Sequence, residues 1–255
     1  MLKVDQKFTP NILLVAITIS GISTFMIYPL LVFRLLDVGV NLGAIGLILG
    51  ALSGTGRVCS FLIGSINSKF GSKPTVCLGI TLRIIGISIF AFESQLYLYI
   101  VFSALASIGS SASALGIKTE LLRQSAERKL ITLRSMAINS GAILGPALGA
   151  ALYHVFSFHT ILYLSIATYG LMVLFLTLTS FSPPESTSLT NGSGGIRSGK
   201  YSRYVAITLI ASIYWAIYSQ WAIIVPLISN QSFGYEESSN LVYMANAVIV
   251  LVLQY

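Results

Sequence analysis

The stretch "INSGAILGPALGAAL", residues 138–152, sets glycines four residues apart inside an apolar run, with a proline beside the middle one. The glycines are Gly141, Gly145 and Gly149, and the proline is Pro146. A helix in water avoids both residue types in its interior, because glycine costs backbone entropy and proline removes a hydrogen-bond donor. In a bilayer, small residues four apart allow two helix backbones to approach closely. The stretch therefore predicts a membrane-spanning helix that packs through a groove of glycines.

The composition of the whole chain supports a membrane protein. Its 255 residues are 55% hydrophobic and only 9% charged, with a mean hydropathy of +0.84. A soluble domain carries about 25% charged residues. Apolar runs near the ~20 residues that cross a bilayer recur along the chain. We therefore expect an all-α polytopic membrane protein surrounded by a lipid bilayer.

The apolar runs predict seven complete spans and one that is cut short. The spans cover about 11–35, 42–66, 75–92, 96–117, 131–153, 159–181 and 204–228, with a last one from about 238. The first run is too long for the core of a signal peptide, so we expect an uncleaved helix. The last run stops before it could cross, which favours a fragment or a truncated product.

The connections between spans alternate in charge. Twelve of the fifteen Lys and Arg residues fall on one side of the predicted membrane, and Asp37, Glu93, Glu236 and Glu237 fall on the other. Because basic residues collect on the cytoplasmic side, this pattern predicts a cytoplasmic N-terminus in a multi-pass protein of the plasma membrane. The net charge of +7 is thereby explained by membrane orientation, and we expect no nucleic-acid partner.

One connection differs from the others. Residues 182–200, "SPPESTSLTNGSGGIRSGK", are rich in Ser, Gly and Pro, which is typical of a flexible linker. We therefore divide the chain into a six-helix bundle (1–181), a cytoplasmic linker (182–203) and the start of a second bundle (204–255). Spans 1 and 7 share a weak repeat, with a proline near the outer end and a glycine eight to ten residues later.

A second glycine groove lies on span 2, where Gly46, Gly50 and Gly54 repeat the four-residue spacing. For any one such pair, static packing is the simpler interpretation. Two helices with triple repeats, one of them with a proline, favour an interface that moves. Smooth surfaces slide against each other more easily than interdigitated bulky side chains.

The turn between spans 2 and 3, "GSINSKFGSKP", resembles the loop signature of the major facilitator superfamily. The matching residues are Gly64, Lys69, Gly71 and Lys73, and Ser68 stands where that family usually has Asp.

Span 5 resembles the family's glycine-proline motif of antiporters through Gly141, Gly145, Pro146 and Gly149. Ala150 replaces a second glycine, and Leu105 on span 4 stands where the family's arginine motif would place Arg.

The resemblance implies two six-helix halves with a substrate site between them near the bilayer midplane, and transport by rocking of one half on the other. It also implies that the helices with the two glycine grooves lie at the boundary between the halves. Most of the helices that pack on those grooves would then lie outside this chain. No cofactor and no metal are expected, and Cys59 and Cys77 are interpreted as packing residues.

Two arginines inside the spans are candidates for the substrate cavity. Arg57 continues the glycine stripe of span 2, and Arg83 shares a helix face with Gly79 and Gly86. We expect both in the inner half of the bilayer and facing protein or a cavity, because a charge facing lipid is costly. Attraction of an anion or a gating contact is one interpretation. Snorkelling or bonding to backbone carbonyls is an equal alternative.

Further cavity candidates are polar or aromatic. Tyr28 continues a stripe with Ser20 and Thr24 on span 1, and Asn139 lies on span 5. On span 7, Tyr214, Tyr218 and Trp221 recur at helical spacing and form a face that could stack on a flat or cationic ligand; these are the three aromatic candidates. Packing or an interfacial belt explains the aromatic face equally well.

The coupling ion stays open, with a proton as one candidate. No Asp or Glu lies deep in a complete span, and the nearest, Glu120, is expected to pair with Arg123 or Lys118 at the surface.

The favoured function is a secondary transporter that exports small drug-like or metabolite molecules. The alternatives are a truncated, non-transporting membrane protein and an uptake permease of the same family. An enzyme is disfavoured, because no paired Asp, His cluster or Ser-His arrangement lies at membrane depth.

Overall fold

The computed structural model describes residues 9–124, 128–153, 155–179, 181–182, 206–207, 210, 214, 220–235 and 238–253. The regular elements within these residues are helices, with one 3₁₀ turn at Ile89–Ala91. The helices are α1 (Thr9–Asp37), α2 (Leu42–Val58), α3 (Ser60–Phe70), α4 (Ser72–Ser88), α5 (Leu96–Gln124), α6 (Arg128–Tyr153), α7 (Phe158–Leu178), α8 (Trp221–Phe233) and α9 (Ser238–Leu253).

Five of these helices are long and apolar enough to cross a membrane, namely α1, α4 with its 3₁₀ turn, α5, α6 and α7. A sixth span is the pair α2 and α3, which meet at Cys59 with a bend of 50°. The all-helical membrane fold predicted from the composition is therefore confirmed. The single predicted span 42–66 is instead two helices that reach Phe70.

The bend follows a close contact between α2 and α5. Gly56, just before the break, donates its backbone N–H to Ser107 Oγ at 2.9 Å. A Cβ on Gly56 would collide with the Ser107 carbonyl oxygen, so α2 reaches α5 only because this residue has no side chain. A side chain from another helix that forms a hydrogen bond with the helix backbone is one of the recognised causes of a kink.

The bundle is built from a few extensive helix pairs. Helix α4 packs on α5, α1 on α6, and α2 on α5, while α7 covers α1 and α4. Helix α8 contacts α1 and α2, and α9 packs on α6 and α8. Fully buried side chains such as Leu13, Ile48 and Tyr169 fill the interior. Large apolar side chains such as Phe61, Val101 and Phe175 stay exposed, as expected of a surface in lipid.

Helix boundaries differ from the predicted spans by a few residues. Helix α5 runs on to Gln124 because its last turns are polar yet packed, and α8 ends at Phe233 instead of about 228. Both α1 and α8 contain a proline, and each is followed by a glycine with positive φ, Gly39 at 79° and Gly234 at 80°. The predicted linker 182–203 lies outside the described residues except for Ser182, as does most of span 7 before residue 220.

Candidate functional site

A polar cluster around Arg83 joins four helices. From α4, Arg83 Nη2 donates to Thr24 Oγ1 on α1 at 2.7 Å, and Nη1 donates to Ser110 Oγ on α5 at 3.1 Å. The guanidinium carbon lies 4.8 Å from the ring centre of Tyr169 on α7. The Tyr169 hydroxyl lies 2.9 Å from Thr24 Oγ1 and donates to the Ser20 carbonyl at 3.1 Å. We call Arg83, Thr24, Ser110 and Tyr169 the Arg83 cluster.

The Arg83 cluster lies near the middle of the helices. Thr24, Ser110 and Tyr169 are each close to the midpoint of α1, α5 and α7. Arg83 lies about 16 Å along α4 from its start at 1.5 Å per residue. Arg83 therefore lies near the middle of the span Ser72–Ala91, and its position in the inner half of the bilayer stays a prediction.

The face that positions Arg83 matches the prediction. A Cβ on Gly79 would lie 2.6 Å from the Ser113 backbone nitrogen, and a Cβ on Gly86 would lie 2.5 Å from the Ala106 nitrogen. These glycines therefore hold α4 directly against α5. Arg83 on the same face consequently points into protein. Arg83 thereby brings a guanidinium from α4 to α5, the helix on which Leu105 stands.

A second polar contact continues the stripe on α1. The Tyr28 hydroxyl lies 2.7 Å from Ser53 Oγ on α2. The side chains of Thr24 and Tyr28 thus take part in contacts between helices. The Thr24 hydroxyl also donates to the Ser20 carbonyl of its own helix at 2.6 Å, as expected of a small hydroxyl in a membrane helix. Asn139 is half-buried on α6, a helix that contributes no residue to the Arg83 cluster.

The other intramembrane arginine differs from Arg83. Arg57 is exposed on α2. On the same stripe, a Cβ added to Gly50 or Gly54 would have no described atom within 4 Å, and one on Gly46 would meet only Ile223 of α8, at 3.7 Å. This groove therefore lies open along most of its length within the described part of the chain.

The groove on α6 is filled. A Cβ on Gly141 would lie 2.7 Å from the Gly21 Cα, one on Gly145 would lie 2.8 Å from the Ile22 carbonyl oxygen, and one on Gly149 would lie 2.8 Å from the Met26 carbonyl oxygen. All three contacts are with the backbone of α1. The expectation that the helices packing on this groove lie outside the chain is therefore wrong, because α1 of the same bundle fills it. Pro146 lies inside α6 beside this contact.

The four motif residues lie in α3, in the turn at Gly71 and in the first turn of α4. Gly71 has φ 89° and ψ 170°, a conformation open to glycine alone. Lys73 Nζ donates to the carbonyl oxygens of Thr177 at 2.6 Å and Thr179 at 2.9 Å, and so caps the end of α7. Lys69 is exposed, 5.4 Å from the Phe70 ring. Gly64 has open space around it.

Ser68, which replaces the acidic residue of the family motif, donates to the Ser65 carbonyl on its own helix at 2.9 Å. An open cleft of about 450 Å³ lies beside it between α3 and α5, lined by residues that include Gly64 and Ser111. The cleft does not include the Arg83 cluster.

Glu120 near the C-terminal end of α5 is fully buried. Its Oε1 accepts from Gln124 Nε2, from the Ser182 backbone N–H and from Ser182 Oγ, each at 2.9 Å. Its Oε2 has no partner among the described residues. The predicted surface pairing with Arg123 or Lys118 is therefore wrong. The partner Ser182 is distant in sequence, so no local pattern could have identified it.

The aromatic candidates are only partly described. Tyr214 and Trp221 are 61% and 37% exposed, and Tyr218 lies outside the described residues.

Within the described part of the chain, no three His, Cys, Asp or Glu side chains form a group that could hold a metal ion. Cys59 and Cys77 are both free thiols.

Comparisons with known proteins agree with this architecture. A family model described as Major Facilitator Superfamily matches residues 13–255. A curated protein named multidrug resistance protein MdtH, from Aeromonas hydrophila, is 27% identical over 241 residues, which are 91% of this chain and 59% of that protein. The protein of the same name from Proteus mirabilis is 23% identical over 239 residues, with the same coverage. The chain thus spans about 59% of the length of these relatives.

Among solved structures, a POT family transporter in complex with 5-aminolevulinic acid superposes with a TM-score of 0.60 at 16% identity. The match covers 88% of this chain and 52% of that transporter. At this identity the likeness concerns the fold alone. In fold, this chain therefore corresponds to about half of that transporter.

Proposed function

This chain belongs to the Major Facilitator Superfamily, and on that premise we propose that it acts in secondary transport, exporting small drug-like or metabolite molecules across the plasma membrane. The observation that carries the proposal is the match of the family model to residues 13–255. The direction of transport rests on the relatives named multidrug resistance protein and on the glycine-proline motif of α6. The family consists of transporters rather than enzymes.

In this proposal the two halves rock against each other around a site near the midplane. Residues 1–181 form the N-terminal half, 182–203 the cytoplasmic linker, and 204–255 the start of the second half. The filled groove between α1 and α6 supports a half that moves as one body. The open groove on α2, from Gly50 to Gly54, supports a surface over which another helix slides.

The substrate cavity would be lined by Arg83, Tyr28, Arg57 and Asn139 from the first half, and by the three aromatic candidates from the second. The exposure of Trp221 supports this role, because its ring is available to a flat or cationic molecule. A proton is the candidate coupling ion. Glu120 is the one carboxyl that the structure buries completely among the described residues, although it lies at the inner end of α5 and not in the cavity.

The decisive experiment compares everted and right-side-out membrane vesicles from cells that produce the protein. We expect everted vesicles with an acidic interior to accumulate ethidium, a flat fluorescent cation, faster than vesicles from cells without the protein. An ionophore that collapses the proton gradient should abolish the difference. Accumulation in right-side-out vesicles only would indicate an uptake permease. No movement in either orientation would favour the non-transporting alternative.

The aromatic part of the proposal has its own control. Trp221→Ala should raise the ethidium concentration that half-saturates transport by about tenfold, in line with the loss of one cation–π contact of up to ~2 kcal/mol. Phe61→Ala, which removes another exposed aromatic ring from a helix of the first half, should leave that concentration unchanged. Equal effects of the two substitutions would remove Trp221 from the site.

A further inference from the structure

Arg83 lies near the middle of α4, and the described residues do not neutralise its positive charge. Its hydrogen-bond partners, Thr24 and Ser110, are uncharged hydroxyls, and its third neighbour is the ring of Tyr169. Hydroxyl dipoles and an aromatic face stabilise a guanidinium, but they do not cancel its charge. An uncancelled charge at this depth is costly, and such residues commonly mark a substrate or ion pathway.

The described carboxylates do not supply the missing charge. Of the described ones, Asp37 ends α1, Glu93 lies in the turn before α5, and Glu120 is bonded to Gln124 and Ser182 at the inner end of α5. None of these three forms an ion pair with Arg83. The remaining carboxylates lie in sequence before α1, before α6, in the predicted linker and between α8 and α9, and are Asp5, Glu127, Glu185, Glu236 and Glu237.

The guanidinium has capacity for one more partner. An arginine has five N–H donors in a planar fork, of which the bonds to Thr24 and Ser110 use two. Three donors remain, and the fork matches the two oxygens of a carboxylate.

The cluster is not completely buried. Tyr169 is 1% exposed and closes the side towards α7. Arg83, Thr24 and Ser110 are each only half-buried. Each of these three side chains therefore keeps part of its surface accessible.

We propose that Arg83, with the hydroxyls of Thr24 and Ser110, forms a subsite for an anionic group of the carboxylate class on the transported molecule. The proposal rests on the transport function proposed above and specifies its substrate. Tyr169 fixes the plane of the guanidinium, and the two hydroxyls hold its edge. A substrate with an apolar body and one carboxylate, alone or as part of a zwitterion, fits this arrangement, since the anion neutralises the buried charge when it binds.

The test uses a pair of fluorescent probes that differ only in charge. Dansylglycine carries a carboxylate, and dansylglycinamide replaces it with an uncharged amide. Each is titrated against the purified protein in lipid nanodiscs, and empty nanodiscs are subtracted to remove partitioning into lipid. We expect the wild-type protein to bind dansylglycine about tenfold more tightly than the amide, as for one hydrogen-bonded charge pair.

Three variants assign the preference to Arg83. Arg83→Gln should bring the two affinities within about twofold of each other while the affinity for the amide stays unchanged. Arg83→Lys should keep a reduced preference, because it keeps the charge but loses the fork. Arg34→Gln removes an arginine in the last turn of α1, outside the cavity candidates, and should leave the tenfold preference intact. Thermal unfolding of each variant shows whether it is folded.

Equal binding of the two probes to the wild-type protein, or no binding of either, would overturn the subsite without reference to any variant. A preference that persists in Arg83→Gln would assign it to another cation and would also overturn the proposal. If Arg83 served only to bridge helices, Arg83→Gln would lower the unfolding temperature, and the wild-type protein would bind the two probes equally. Failure of the transport proposal is separate, because it appears as absence of ethidium movement in vesicles while the probe preference remains measurable.

Discussion

Gly141 of α6 lies against Gly21 of α1 so closely that a Cβ on Gly141 would be 2.7 Å from the Gly21 Cα. Backbone atoms on both sides leave no flexible group that could move aside. Gly141→Ala should therefore lower the free energy of unfolding by about 1–3 kcal/mol, the usual cost of overpacking. Thermal unfolding in detergent measures the change.

The matched control for this prediction is Gly50→Ala in the open groove of α2, where no described atom lies within 4 Å of the added Cβ. It should be neutral or slightly stabilising, because alanine favours the helix over glycine. Equal destabilisation by the two substitutions would contradict the assignment of a filled and an open groove.

Gly71 between α3 and α4 adopts φ 89° and ψ 170°, which side chains do not tolerate. Gly71→Ala should cost about 1–3 kcal/mol of stability through backbone strain. The control is Gly64→Ala, seven residues earlier in the same motif. Because Gly64 lies in a helix with open space around it, this variant should unfold at the temperature of the wild type. A larger loss at Gly64 than at Gly71 would show that the turn does not adopt this conformation.

Lys73 ties the start of α4 to the end of α7 through the carbonyls of Thr177 and Thr179. Lys73→Met should loosen the last turn of α7, with a cost of about 1–2 kcal/mol for the lost charged hydrogen bonds. Hydrogen exchange in a peptide covering 174–182 should accelerate. Lys69→Met in the same loop is the control, since Lys69 is exposed and lies near the Phe70 ring only; it should leave exchange in that peptide unchanged.

Glu120 holds Ser182 through the backbone N–H and the hydroxyl, each at 2.9 Å. Glu120→Ala leaves both donors without this partner, so exchange of the Ser182 amide should increase by about tenfold or more, as for a loss of 1–3 kcal/mol. Glu93→Ala removes an exposed carboxylate and should not change it. No difference between the two variants would mean that the carboxyl of Glu120 does not anchor the chain after α7.

Cysteine labelling can test the predicted orientation of the bundle in the membrane. In a background without Cys59 and Cys77, Glu93→Cys should react with an impermeant maleimide in intact cells. Lys69→Cys should react only after the membrane is permeabilised, because the basic turns are predicted to be cytoplasmic. The reverse pattern would invert the predicted topology and, with it, the predicted location of the N-terminus.

The sequence predicted the membrane spans and the family because hydrophobicity and motif spacing are local properties of the chain. It also predicted that Arg83 points into protein, from Gly79 and Gly86 on the same face. The bend at Cys59 was not predictable in this way, since it follows a tertiary bond from Gly56 to Ser107.

The two glycine grooves have the same spacing and different surroundings. Gly141 packs on α1, whereas a Cβ on Gly50 would have no described atom within 4 Å. Spacing shows that a helix can be approached closely, but it does not identify the helix that fills the groove. Glu120 was misjudged for a related reason, because its partner Ser182 is reached only through the fold.

Helix α1 has two attachments at once. Its backbone lies in the groove of α6, and its Thr24 accepts a hydrogen bond from Arg83 at 2.7 Å. A close-packed backbone contact transmits displacement with little slack. Helix α6, which α9 also contacts, is therefore coupled to Arg83 through α1. A displacement of α6 would shift the Thr24 hydroxyl that accepts the hydrogen bond from the guanidinium.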